Sequence, residues 1–238
     1  MPESLEDFIM LQPPTADRPL LGSIVLVVDD SRHTCEAMRL ICQRFGARIR
    51  RAESLASADR HLRSYRPRLA VIDLGLPDGS GLSLIEGLHR SHERLDGIIA
   101  ISGDDNQKQA ALDAGADAFL AKPLASVSEF LGIALALLPP ELRPDQVTPV
   151  ASDSITPDPV ALHDDLALAA SLLRDNPDGS TLDYLGGFLA SLGKDADDKA
   201  LSSLADTVRD LKATGTGDTA AGKIAGKVEA RMKELAPV

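Results

Sequence analysis

The chain has 238 residues, room for one large domain or two small ones, and its 44% hydrophobic and 26% charged side chains are an ordinary globular composition. Aromatic residues make up only 3% and Trp is absent, so the cores must be built from Leu, Ile, Val and Ala. A formal net charge of −11 gives no electrostatic footprint for nucleic acid or an anionic membrane, which argues against DNA as a partner.

The first residues, MPESLEDFIMLQPP, start acidic and lack the basic stretch and apolar core of a signal peptide. No apolar run approaches the ~18 residues of a membrane span, so the expectation is a cytoplasmic protein without a membrane segment. Residues 4–11 suit one or two helical turns, which QPPTADRP then breaks.

From Ser23 the texture changes. SIVLVVDD is a continuous β-branched run ending in acids, the pattern of a strand buried on both faces. Met38, Ile41, Cys42 and Phe45 then follow helical spacing, and Gly46 closes the segment. Cys35 and Cys42 share this helix at roughly 10 Å, too far apart for a disulfide, and read as small buried hydrophobes in a reducing compartment. ARIRRA (strand) is followed by SLASADRHLRSY, a helix with Ser54 as N-cap. RLAVIDLGL (strand), GLSLIEGLHRSH (helix), LDGIIAIS (strand), NQKQAALDAG (helix) and AFLAKPL (strand) continue the series, and a helix over 127–138 ends it. Five strands alternating with five helices predict an α/β fold with a doubly wound parallel sheet.

Six prolines between Pro139 and Pro159, without apolar periodicity, predict a semi-rigid linker. Beyond it, Leu185, Phe188, Leu189 and Leu192 form one helical stripe. A second is Leu201, Leu204, Val208 and Leu211, and a third is Ile224, Val228 and Met232. Three or four short helices would make a small all-α bundle. DNPDGS (175–180) misplaces its acids for a calcium loop and is read as a turn, with Ser180 capping the next helix. GTGDTAAGKI has the G-x-x-x-x-G-K spacing from Gly217 to Lys223, but Ile224 stands where Ser or Thr belongs and no strand precedes it, so it is read as coincidence. His163 is expected on a solvated surface, and no cluster of Cys or His supports zinc.

The residues that carry chemistry stand at strand ends. Asp29 and Asp30 end the first strand and Asp73 the third; Ser102 ends the fourth, and Lys122 follows Phe119 at the end of the fifth. In a parallel sheet these ends share one edge. Three converging carboxylates raise one another's pKa unless a cation lies among them, and a hard divalent ion with oxygen ligands, Mg²⁺, resolves the repulsion. Lys122 adds a positive charge and Ser102 a hydroxyl, a setting suited to attack on phosphorus by a carboxylate.

The stretches VVDDS (27–31), VIDLGLPDGSG (71–81), AISGDD (100–105) and AFLAKPL (118–124), one per expected strand end, resemble the receiver domains of two-component response regulators, over about half of the chain. The resemblance implies a flavodoxin-like five-stranded sheet with Asp73 as phosphoacceptor. It implies Mg²⁺ held by Asp30, by Asp29 directly or through water, by Asp73 and by the backbone carbonyl of Gly75. Lys122 would contact the phosphoryl group, before a cis peptide to Pro123, and Ser102 and Phe119 would form the switch pair. Gly75 and Asp104 stand at the two positions that tune phosphate lifetime in this family. The expected phosphodonor is a histidine kinase or a histidine phosphotransfer protein.

The resulting organisation is an N-terminal extension (1–21), a receiver domain (22–139), a Pro-rich linker (140–159) and a helical bundle for output, docking or dimerisation (160–238). From residue 151 on, 9 Lys and Arg stand against 15 Asp and Glu, which disfavours a DNA-reading output. LADTVRDLKATG (204–215) resembles the central helix of histidine phosphotransfer domains, with Arg209 where the phosphorylated His would stand. The expected function is a non-enzymatic phosphorelay response regulator that switches contacts with a protein partner or with itself. The alternatives are a receiver-gated transcriptional regulator and a receiver controlling an enzymatic or phosphotransfer output.

Overall fold

The structure, a computed structural model, describes residues 13–235 apart from 125, 151, 152, 154 and 215–217. The helical turns expected at 4–11 lie outside the described residues.

The chain runs β1 (Ile24–Val28), α1 (Arg32–Arg44), β2 (Arg48–Ala52), α2 (Leu55–Ser64), β3 (Leu69–Asp73), a two-stranded hairpin β4 (Gly75–Leu76) and β5 (Gly79–Ser80), α3 (Gly81–Arg90), β6 (Gly97–Ser102), α4 (Lys108–Asp113), β7 (Ala118–Ala121) and α5 (Val127–Leu137). The main sheet is parallel, in the order β2-β1-β3-β6-β7. Every residue of β1, β3 and β6 is buried, as the unbroken apolar runs require when helices cover both faces. Side chains alternate across it. Val25 and Val27 join Met38, Ile41, Phe130 and Leu131 on the face of α1 and α5, while Leu26 and Val28 join Ile72, Ile85 and Ile98 on the other. The edge strand β2 carries Arg48, Arg50 and Arg51, charges that discourage further strand pairing. Ser54 caps α2 as expected, accepting from the amide of Ser57 at 3.1 Å.

Because β2 and β3 lie on opposite sides of β1, the chain reverses its winding there, and a crevice opens beyond the carboxyl ends of β1 and β3. That crevice holds Asp29, Asp30 and Asp73.

Four helices build the second core: α6 (Pro159–Arg174), α7 (Gly179–Asp195), α8 (Lys199–Thr214) and α9 (Asp218–Glu234). The three apolar stripes meet there with Leu166, Ala169 and Leu173 of α6, and Ile224 lies in this core. Pro159 occupies the first position of α6, where its missing N–H costs nothing. One expectation is corrected: Asp178, not Ser180, caps α7. The Asp178 carboxylate accepts from the Thr181 amide at 2.8 Å, and Ser180, already inside the helix, donates its hydroxyl to the same oxygen. A carboxylate satisfies more donors than a hydroxyl, so it takes the cap.

The connecting segment is tied to the sheet domain. Val150 and Ile155 pack on its core, the Thr148 amide donates to the Ala16 carbonyl (3.0 Å), and Asp153 accepts from the Ser126 hydroxyl and the Ser128 amide. Cys35 and Cys42 are free and buried, as expected.

Candidate functional site

The crevice is built by tight approach of backbone to backbone. A Cβ at Gly81 would lie 2.0 Å from the Asp73 carbonyl oxygen, so only glycine lets α3 start this close to the end of β3. The Asp73 carboxylate is fixed from two sides: Oδ2 accepts from the Gly75 amide (3.0 Å), and Oδ1 meets Lys122 Nζ at 2.9 Å. Lys122 Nζ also pairs with Asp29 Oδ2 at 2.8 Å, and its amide donates to the Ser102 carbonyl, which fixes β7 against β6. The Lys122–Pro123 peptide is cis.

Asp29, Asp30 and Asp73 can bring one oxygen each within 4.8 Å of one another. Burial raises the Asp29 pKa well above the usual carboxylate range, against the pull of Lys122. Burial likewise raises Asp30 to about 6, against a hydrogen bond from Tyr184. Burial opposes the charge on Lys122, but Asp29 and Asp73 outweigh it and hold that pKa well above its ordinary value. One cation among three carboxylates, two buried and one half-buried, leaves excess negative charge, and every donor is a hard oxygen. The cluster therefore fits a divalent ion of the oxygen-preferring kind.

Ser102 is buried beside it, its hydroxyl accepting from the Asp104 amide at 3.1 Å. Phe119 is half-buried against the core on the side of α3 and α4. Asp29, Asp30, Asp73, Ser102 and Lys122 thus stand around one crevice, whereas Phe119 packs on the core and is not among the residues lining it. The Gly75 backbone lines it too, and Asp104 stands at its rim.

The bundle supplies contacts that strand-end reasoning missed. The Tyr184 hydroxyl of α7 donates to Asp30 Oδ2, and Lys194 Nζ donates to the Gly103 carbonyl. Ser31 caps α1, its hydroxyl accepting from the Thr34 amide at 3.1 Å, and buried Asp165 of α6 completes that cap by accepting from the Ser31 hydroxyl (2.9 Å) and the amides of Arg32 (2.9 Å) and His33 (3.0 Å). Asp195 accepts from the Thr34 hydroxyl at 3.0 Å. Between the bundle and the carboxylates lies a chamber of about 670 Å³ that Arg209 also lines. The only prior signals were Tyr184 beside an apolar stripe and the phosphotransfer-like register of Arg209.

A sequence model described as "Response regulator receiver domain" matches residues 25–130. The chain is 34% identical over 99 residues to the KDP operon transcriptional regulatory protein KdpE of Escherichia coli, covering 42% of this chain and 44% of that one. It is 35% identical over 100 residues to the virulence transcriptional regulatory protein PhoP of Salmonella typhimurium, covering 42% and 45%. The chain thus spans less than half the length of these curated relatives. Among solved structures, the receiver domain of NtrX from Brucella abortus is 27% identical, with a TM-score of 0.45 over 48% of this chain and 97% of that one. No helix among the described residues is long and apolar enough to cross a membrane. Residues 25–130 thus match the response regulator receiver domain family in sequence.

Proposed function

We propose that the chain accepts a phosphoryl group on Asp73 and passes the change to a protein partner, or to a second copy of itself, through the helical bundle. The observation that carries this is the Asp73 carboxylate, held between Lys122 and the Gly75 amide at the wall of the chamber. Its oxygen attacks phosphorus as the bond to the donor breaks and the electron pair leaves with the donor. Lys122 neutralises charge on the transferring group. Mg²⁺ would be held by Asp30, Asp73, the Gly75 carbonyl and Asp29, and supplies further charge neutralisation when bound. Ser102 then turns its hydroxyl toward the phosphoryl oxygens, and half-buried Phe119 moves inward to fill the vacated space. The donor is a histidine kinase or a phosphotransfer protein, and the receiver catalyses only its own phosphorylation and dephosphorylation. In this reading the receiver spans 22–139, the linker 140–159 and the bundle 160–238.

Incubation with a small phosphodonor and Mg²⁺ tests the reading. Wild type incorporates label and Asp73→Asn does not; equal labelling of both sinks it. Light scattering on the two forms reads any change in assembly.

A second reading, control of transcription, is favoured by the names of KdpE and PhoP. The acidic balance beyond residue 150 opposes it. Retention of the full chain on specific DNA sequences would establish it.

A further inference from the structure

The chamber has two walls of opposite character. Its receiver wall carries Asp29, Asp30 and Asp73, Asp104 at the rim, and one lysine that is already shared by Asp29 and Asp73. Its bundle wall carries Lys194 and Arg209, while Asp183 on the same wall is paired with Lys212. A phosphoryl group on Asp73 would bring ~1.5–2 negative charges and three strong acceptor oxygens into this space. The donors available from the receiver side are few.

Arg209 reaches the chamber by an unusual route. It belongs to α8, yet it crosses α7 where Gly186 has no side chain. A Cβ at 186 would stand 3.0 Å from Arg209 Cγ and 3.6 Å from Nε. Its present partner is exposed Asp206, three residues back on the same helix and 3.0 Å away, a pairing that holds the guanidinium weakly. Gly187 forms part of the roof, and a Cβ there would meet nothing within 4 Å. Ser191 lines the same wall with its hydroxyl buried and without a hydrogen-bond partner, 3.5 Å from where a Cβ on Gly103 would stand. A buried donor left idle costs free energy unless some state of the protein uses it.

We infer that Arg209 and Ser191 form the bundle half of an oxyanion site for the phosphoryl group carried by Asp73, so that phosphorylation clamps the bundle onto the receiver instead of releasing it. The inference rests on Asp73 being the phosphoacceptor. The guanidinium fork swings from Asp206 to the phosphoryl oxygens, for which its geometry is suited. Tyr184 need not leave, because the second oxygen of Asp30 stays available to a cation while Oδ2 keeps the phenol hydrogen. The ligand is an aspartate-bound phosphoryl group rather than free phosphate.

The test uses the full chain with Mg²⁺ and beryllium trifluoride as the phosphoryl probe. Fluorine NMR reads probe binding, and hydrogen exchange reads the protection of α7. Expected are binding and slower exchange across α7 in wild type, and neither in Asp73→Asn. Arg209→Ala should bind the probe about tenfold more weakly and lose the added protection. Arg209→Lys should recover part of both, and Asp206→Ala, which removes only the competing partner, should retain both in full. Gly187→Leu, whose Cβ would meet nothing within 4 Å, extends an apolar side chain from the chamber lining and should block the probe. Inorganic phosphate alone should protect nothing; if it protects α7 as well as the probe does, the site takes a free anion and the inference falls. Faster exchange across α7 on loading, or Arg209→Ala indistinguishable from wild type, also overturns it. Absence of probe binding in wild type overturns the phosphoacceptor reading and the inference together, whereas binding without protection overturns the inference alone.

Discussion

The phenol of Tyr184 donates its hydrogen to Oδ2 of Asp30, joining positions 154 residues apart in sequence. The helical bundle is thereby bonded to one of the three carboxylates that can hold a cation. Tyr184 also stacks on Phe188, ring centroids 5.7 Å apart, so its ring stays anchored to α7 whether or not the hydroxyl is present.

Tyr184→Phe should therefore leave the bundle folded and act on the carboxylate. Outer-sphere partners orient metal-binding groups, and their loss costs about tenfold in affinity or more. Magnesium titration followed by calorimetry should show that weakening, with the melting temperature nearly unchanged.

Asp30→Asn should, by contrast, change stability. Burial raises the Asp30 pKa to about 6 in the folded protein, above its unfolded value near 3.8. Such a group favours the folded state below pH 3.8, and that advantage is lost as pH rises through about 6. At pH 7 the ionised carboxylate destabilises the fold, and the amide, still able to accept from Tyr184, removes the cost. We expect a gain of about 1–3 kcal/mol at pH 7 without metal. The gain should vanish at pH 3.8, and Mg²⁺ should stabilise the variant less than wild type. Thermal melts across this range, with and without Mg²⁺, check all three.

Asp165→Ala removes the acceptor of one hydroxyl and two helix-end amides, and should cost about 2 kcal/mol. Asp164→Ala removes only the exposed pair with Arg32 and should stay within about 0.5 kcal/mol. Denaturant unfolding of the two variants side by side separates these outcomes.

Burial raises both thiols, Cys35 and Cys42, to about 12. Neither should react with a thiol reagent at pH 8 in the folded protein, and both should react once it is unfolded. Prompt labelling of either without denaturant would contradict the packing of α1.

The alternating fold was legible because β1, β3 and β6 are unbroken apolar runs, and because the site residues follow directly on strands whose ends must share an edge. Ser102, Asp73 and Lys122 could be placed from that rule alone. The bundle's three stripes foretold its core for the same reason, periodicity. Its docking was not legible. Tyr184, Asp165, Lys194 and Asp195 are polar residues on helices whose periodicity reports only the apolar side. An acid that caps a helix more than 130 residues away leaves no local mark in sequence. The Asp178 cap was missed because a serine two residues later offered a plausible hydroxyl.

The cap that Asp165 places on α1 bears on how this chain can be taken apart and reassembled. The sheet domain's first helix has its own Ser31 cap but borrows the acceptor for its first two amides from the bundle, so the two halves are not interchangeable modules. Severing them would strip that end of α1 of an acceptor and leave Asp165 a lone acid on an uncovered helix. A bundle grafted onto another receiver would fit only where its new host offers the same three donors.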